Sequence, residues 1–181
     1  MTTTLAAGTW QADPTHSAVE FVVRHLGLSK VRGRFTDFAA ELVVGERPSD
    51  TRVTATINLA SVATGDEQRD THLRSADFFD LEESDPTMTF ASTSITGEGD
   101  EFTMTGDLSL AGVTRPVELE VELEGVSGDP WGGTRAGFSA EGNISRKDFG
   151  IEFDIPLDGG GFVIGDKVKI ELDLQFVAPQ G

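Results

Sequence analysis

The chain contains no cysteine. Disulfides, thiolate nucleophiles and cysteine-ligated metal centres are therefore excluded. Basic residues are scarce: 14 Lys and Arg stand against 31 Asp and Glu, a formal net charge of −17. Such a surface repels nucleic-acid phosphates and anionic lipid, which argues against a general nucleic-acid role. No run of about eighteen apolar residues occurs, so neither a transmembrane helix nor stable membrane insertion is expected. The opening MTTTLAAGTW has no Lys or Arg and no apolar stretch of leader length, which gives a cytoplasmic location as the expectation. Also missing are a Walker loop, a dinucleotide fingerprint and a G-x-S-x-G elbow. No cofactor is implied by the residues.

What is present is strict alternation. Residues 117–124 read VELEVELE, with Val117, Leu119, Val121 and Leu123 on one side and four glutamates on the other. A helix repeats every 3.6 residues or so and cannot separate the two sets, whereas a strand does. The same code recurs at Thr9–Ala12, Ser17–Arg24, Lys30–Val44, Val53–Leu59, Thr87–Thr96, Glu101–Leu110, Thr114–Val126, Thr134–Ser145 and Lys167–Val177. In Lys30–Val44 the phase changes, from odd apolar positions (Val31, Phe35) to even ones (Phe38, Ala40, Leu42, Val44). A bulge or bend near Thr36–Asp37 accounts for the switch. Asp66–Ser75 breaks the alternation, with acids first and bases last, and predicts a short helix. Phe78, Phe79 and Leu81 follow it and are placed at one end of the barrel as a cap. Gly97–Glu101 and Ala111–Gly112 predict hairpin turns, and the DGGG of 158–161 a flexible loop. The expected fold is all-β: one domain over 1–181, an antiparallel eight-stranded barrel with a short helix, its closure removing sheet edges.

A barrel of this size either fills itself or keeps room for a small ligand. Twelve Phe and two Trp supply a large interior set with hardly a polar tip. The candidate lining is Val19, Phe21, Val23, Phe35, Phe78, Phe79, Met88, Phe90, Phe102, Met104, Leu108, Phe138, Phe149 and Phe153. Periodicity alone does not separate a lined pore from a packed core.

The polar candidates are fewer. The chain has three histidines, His16, His25 and His72, and no close pair at zinc-ligand spacing, so hydrogen bonding in turns is favoured over a metal. Asp70 and His72 are two apart on the expected helix and face different ways. DPTHS at 13–17 reads as a turn entering a strand rather than a triad. Arg24, Lys30, Arg32 and Arg34 cluster around His25, either as an anion site or as an outward strand face paired with acids. The alternation puts Arg32 and Arg34 opposite Val31 and Phe35, in line with the second reading.

Five blocks, in order, extend beyond these local patterns: DPTHSAVEFVVRHLGLSKVRGRF (13–35), TGDEQRDTHLRSADFFD (64–80), PTMTFAST (86–93), GDLSLAGVTRPVELEV (106–121) and ISRKDFGI (144–151). Together they resemble the YceI-like family of polyisoprenoid-binding proteins, from about Trp10 to Phe176. The resemblance implies a lipocalin-like barrel holding a long isoprenoid or other lipid-like chain in an elongated pore, carried or stored without catalysis. The family's characteristic polar positions fall on His16, Ser17, His25, Gly33, Asp70, His72, Arg146, Asp148 and Gly150. Of these, His16, His25, Asp70, His72, Arg146 and Asp148, with Arg32, are the candidates for the pore mouth or a ligand head group. Many relatives have a secretory leader, which the opening residues here do not resemble. Two other readings stay open: an enzyme using His16, Asp70 and His72 on a lipid-like substrate, and a stress-related interaction protein with a filled core. A homodimer through an exposed strand face or edge is compatible with the sequence.

Overall fold

The computed structural model describes residues 4–180; residues 1–3, at the head of the N-terminal stretch considered above, and residue 181 lie outside the described residues. The elements are β1 (Gly8–Ala12), β2 (Ala18–His25), β3 (Ser29–Phe35), β4 (Phe38–Val44), β5 (Arg52–Asn58), β6 (Val62–Ala63), α1 (Glu67–Arg74), β7 (Thr87–Glu98), β8 (Glu101–Leu110), β9 (Val113–Gly128), β10 (Thr134–Ser145) and β11 (Ile164–Val177). All ladders are antiparallel, and β1 pairs with both β4 and β11, which closes the sheet.

The eleven strands make eight staves. β1 and β2 both lie along one edge of β11, through Gln11↔Val177 and through Ala18↔Asp173 to His25↔Ile164. They are one stave interrupted at 13–17. β3 and β4 form the next, and β5 and β6 the third, since β4 pairs β5 while β3 pairs β6. β7 to β11 run unbroken. The expected single strand Lys30–Val44 is thus two strands, and the break falls at Thr36–Asp37, where the apolar phase switches.

Polar side chains stitch the breaks. Ser61 Oγ accepts from the Thr36 and Asp37 N–H groups at 3.1 and 3.0 Å and donates to Asn58 O at 2.7 Å, which ties two interruptions together. Ser17 Oγ accepts from Gln175 N–H at 3.0 Å, and Asp13 N–H donates to Gln175 O. The DPTHS segment is a 3-10 turn capped by Asp13, as its residue types predict. α1 is capped by Asp66, whose carboxylate accepts from Arg69 N–H.

On β9, Val117, Leu119 and Leu123 are buried and the four glutamates exposed. The Ala111–Gly112 turn has φ of 53° and 78°, the left-handed pair of a two-residue hairpin. Inward glycines thin the wall: a Cβ on Gly33 would meet the Phe21 ring, and one on Gly106 the Phe90 ring. Two clusters pack the barrel, one around Phe35, Leu59, Val62 and Phe149, the other around Trp10, Leu42, Ala136 and Phe176. Among the described residues no helix is long and apolar enough to cross a membrane.

Candidate functional site

The inward faces do not all meet. Val168, Ile170, Leu172 and Leu174 of β11 point into the barrel opposite Val19, Phe21 and Val23 of β2, yet all seven remain half-buried. A large inward residue that stays accessible faces empty space. That space has two lobes, of about 430 Å³ and about 680 Å³. Both are lined by Val53, Met104, Leu172 and Leu174, where they adjoin. Each volume is in the range of a small-molecule site. Small inward residues keep the hollow open, among them Ala40 and Ala55, which face each other across β4 and β5.

The first lobe lies towards the β2–β3 turn. Its walls include Val19, Phe21, Val23, Phe35, Met88, Phe90, Met104 and Leu108, and Phe78, Phe79 and Phe153 complete it. The second lobe lies towards the β7–β8 turn and is lined by Phe102, Phe138, Leu123 and Phe176 with Met104. Of the candidate lining residues, Phe149 alone is in neither wall; it is 2% exposed and part of the packed core. Of residues 151–164, after β10, sequence reasoning selected only Phe153. Ile151, Phe153, Ile155, Val163 and Ile164 form one side of the first lobe; Ile151, Phe153 and Ile155 alternate with Glu152 and Asp154 at the period of a strand, yet 151–155 is not one.

The polar candidates separate. His25, His72 and Arg146 reach the first lobe, joined by Thr64 and Arg69, which sequence reading did not select. His72 Nε2 lies 2.8 Å from Asp77 Oδ2, and its ring packs edge-on to Phe78 and Phe153 at 5.0 and 5.1 Å. Arg69 donates to the hydroxyl and carbonyl of Thr64, and Asp70 accepts from the Thr64 N–H and hydroxyl. Asp70 therefore fixes the start of α1, away from His72. His16 sits at the first stave break, 2.9 Å from Asp13, and is on neither lobe wall. Asp148 is exposed on the 3-10 turn, and its backbone carbonyl accepts from Arg115.

Two candidates for a head group are corrected. Arg32 points outward and donates to Glu171 at 2.8 Å, which makes it strand-face charge as its phase indicates. The same contact, reinforced by Lys169 and opposed by burial, holds the Glu171 carboxyl below its usual range. Arg146 is 4% exposed, and its five N–H donors go to the carbonyls of Gly165, Ile151, Phe153 and Ile164 and to Asp154. None is left for a ligand. It clamps the 151–165 segment into the lobe wall. Asp166 holds the residues on either side of Arg146: burial alone would push its carboxyl up, but the Ser145 hydroxyl and the Lys147 N–H outweigh that and hold it low.

Among the described residues, no buried side-chain nitrogen or oxygen lacks a partner. The wall of the hollow is predominantly apolar, with Glu20, Arg24, His25, Thr64, Arg69, His72 and Arg146 as the polar residues of the first lobe. What it can offer is removal of apolar surface from water, a force with little direction and loose selectivity.

The comparisons with known proteins follow the same outline. The YceI-like domain matches residues 10–176. Protein YceI of Escherichia coli O157:H7 is 50% identical over 141 residues, covering 77% of this chain and 73% of that protein. A YceI protein of Campylobacter jejuni superposes with a TM-score of 0.71 at 28% identity, over 87% of this chain and 90% of that one. A polyisoprenoid binding domain from Saccharophagus degradans shares the fold, with a TM-score of 0.72 at 17% identity over 94% and 98% of the two chains. With residues 10–176 matched by the domain and half of the aligned residues shared with a named member, the chain belongs to the YceI-like family.

Proposed function

We propose that this protein binds a long apolar chain, an isoprenoid or comparable lipid, inside the two-lobed hollow and carries or stores it unchanged. The observation that carries this reading is the half-exposed inward face of β2 and β11 around space that no side chain fills. The family supports it, and the Saccharophagus degradans domain of the same fold is described as polyisoprenoid binding. At about 0.8 kcal/mol per methylene, burying roughly ten groups gives about 8 kcal/mol before the costs of ordering. Retention through purification requires a chain long enough for this gain to exceed those costs. His16 lies on neither lobe wall and Asp70 is held by Thr64, so neither joins His72 at the hollow, which favours binding over turnover.

Native mass spectrometry and solvent extraction test the reading, with Ala55→Phe as the blocking variant. Ala55 faces the first lobe, so a phenyl group there enters open space. The native protein is expected to release near-stoichiometric lipid. The variant is expected to keep its melting temperature and hold severalfold less. An empty native protein, with Ala55→Phe destabilised by the roughly 1–3 kcal/mol of an overfilled core, would defeat the proposal.

A further inference from the structure

At the end of the barrel that holds the first lobe, four large apolar side chains face water: Leu26 and Leu28 on the β2–β3 turn, Ile155 and Phe162 on the loop before β11. Leu28 is 83% exposed and Phe162 52%. The backbone holds the two segments side by side. Leu26 N–H donates to Val163 O at 2.7 Å, Val163 N–H donates to Ile155 O at 3.1 Å, and Pro156 bridges Phe162. Ile155 also lines the lobe, so apolar surface leads from the inside of the hollow to its outer rim.

The turn departs from two local rules. Leu26 has φ 55° and Gly27 φ 68°. Asn-Gly is the low-cost pair for this left-handed turn, and a leucine at the first position is both strained and exposed. On the stem, Arg24 lies directly opposite Lys30, a destabilising match of like charges. Neither forms an ion pair among the described residues. From Arg24 to Thr36 the hairpin carries four cationic residues and no acid, in a chain of net charge −17. Lys147 adds a cation, its ammonium 5.1 Å from the centre of the Phe162 ring.

Apolar tips beside unpaired cations match one phase, the boundary between acyl chains and phosphates. We propose that this end of the barrel docks on a phospholipid bilayer with acidic head groups, Leu26, Leu28, Ile155 and Phe162 entering the acyl boundary and Arg24 and Lys30 facing phosphate. The net negative charge opposes approach, but fields from distant acids are screened beyond about 8 Å at physiological ionic strength. Within the loop from Pro156 to Val163 the one acid is Asp158, so the hairpin is the cationic partner. Docking places the lobe mouth against hydrocarbon, and an apolar guest then passes without crossing water. The apolar rim and its cations are the same whatever the hollow contains.

Sedimentation with vesicles of phosphatidylcholine containing phosphatidylglycerol tests it. The wild type is expected to sediment with these vesicles, and less with phosphatidylcholine alone. A Leu28→Asp/Phe162→Asp double variant, altered at exposed positions, is expected to keep its circular dichroism and melting temperature and to bind roughly tenfold more weakly or worse. Leu26→Asn gives an independent check: it relieves the turn, so the melting temperature holds or rises while vesicle binding falls. Tryptophan emission reports orientation. Trp131, 82% exposed on the β9–β10 turn, lies at the opposite end, and Trp10 is buried. The proposed docking leaves the emission unchanged on vesicle addition, and a blue shift would put the other end on the bilayer. That result would overturn the proposal, as would no wild-type sedimentation, undiminished binding by the double variant, or a wild-type dimer that the double variant dissolves. Lipid extracted from a protein that ignores vesicles would remove the docking and leave the interior ligand standing.

Discussion

Each end of the barrel is held by an arginine, and the two are built differently. Arg146, at the first-lobe end, is dry: its side chain is 5% exposed, paired with an Asp154 that is 7% exposed, and its other donors go to four backbone carbonyls. Arg135, at the other end, is wetter, at 21% exposure, and bridges Asp13, Asp129 and Gln175. Both tie distant stretches of chain together. They differ in what happens when one partner is removed. A dry clamp leaves a charge and several carbonyls stranded, whereas a wet one leaves them to water. The comparison implies that the first-lobe wall depends on one side chain, and the other end on none so strongly.

The largest expected effect follows directly. Arg146→Met leaves Asp154 buried without its counter-charge and unties the carbonyls of Ile151, Phe153, Ile164 and Gly165. The expected cost is about 3–5 kcal/mol, read from the urea midpoint at constant slope. Because the freed segment is a wall of the first lobe, lipid content is expected to fall as well. A variant as stable as the wild type would mean that Arg146 is no clamp, and the contrast between the ends would disappear.

That clamp was not legible in the sequence. Arg146 reads as a cation near a pore mouth, because a 3-10 turn has no period to say which way a side chain points. Its partners belong to an irregular stretch that the spacing of Ile151, Phe153 and Ile155 does not reveal. The strands, by contrast, were legible nearly to the residue: Glu101–Leu110 and Thr134–Ser145 are as expected, and α1 starts and stops inside the expected Asp66–Ser75. Alternation is local, and so is the phase switch that marks the break at Thr36–Asp37. Which strands share a stave is not local. Nothing in residues 8–25 alone says that β1 and β2 lie along the same edge of β11, 139 or more positions onward. Arg32 is the intermediate case: its phase says outward, but only the fold supplies Glu171 as its partner.

Midway along the hollow, away from both clamps, Gly106 separates packing from clamping. A Cβ there meets the Phe90 ring and the Ala91 carbonyl. Gly106→Ala is expected to cost about 1–3 kcal/mol, the usual range for overpacking. The ring's escape is into the first lobe, so lipid content should drop while calorimetry still shows one cooperative transition. A larger loss than Arg146→Met would rank wall packing above the buried clamp.

The smallest effect belongs to the wet end, and its signature is its pH dependence. Asp13 is held well below its usual 3.8 by the Thr15 hydroxyl first, then by Arg135 and His16. Asp129 is lowered chiefly by the Gly133 N–H, and Arg135 is raised chiefly by Asp13. A carboxyl whose folded value is depressed stabilises the fold at every pH above its unfolded value. That contribution fades as the pH falls through the folded value. Asp13→Asn removes the charge and keeps a carbonyl acceptor for Thr15, so at neutral pH it should cost about 1 kcal/mol. Urea titrations of wild type and variant should therefore differ at pH 7 and converge as the pH drops below about 4. Arg146→Met supplies the contrast, since its loss rests on stranded carbonyls as well as charge and should persist into acid. If the Asp13→Asn difference stayed constant down the pH scale, the contact would be acting as a neutral hydrogen bond, and the electrostatic half of the comparison would fail.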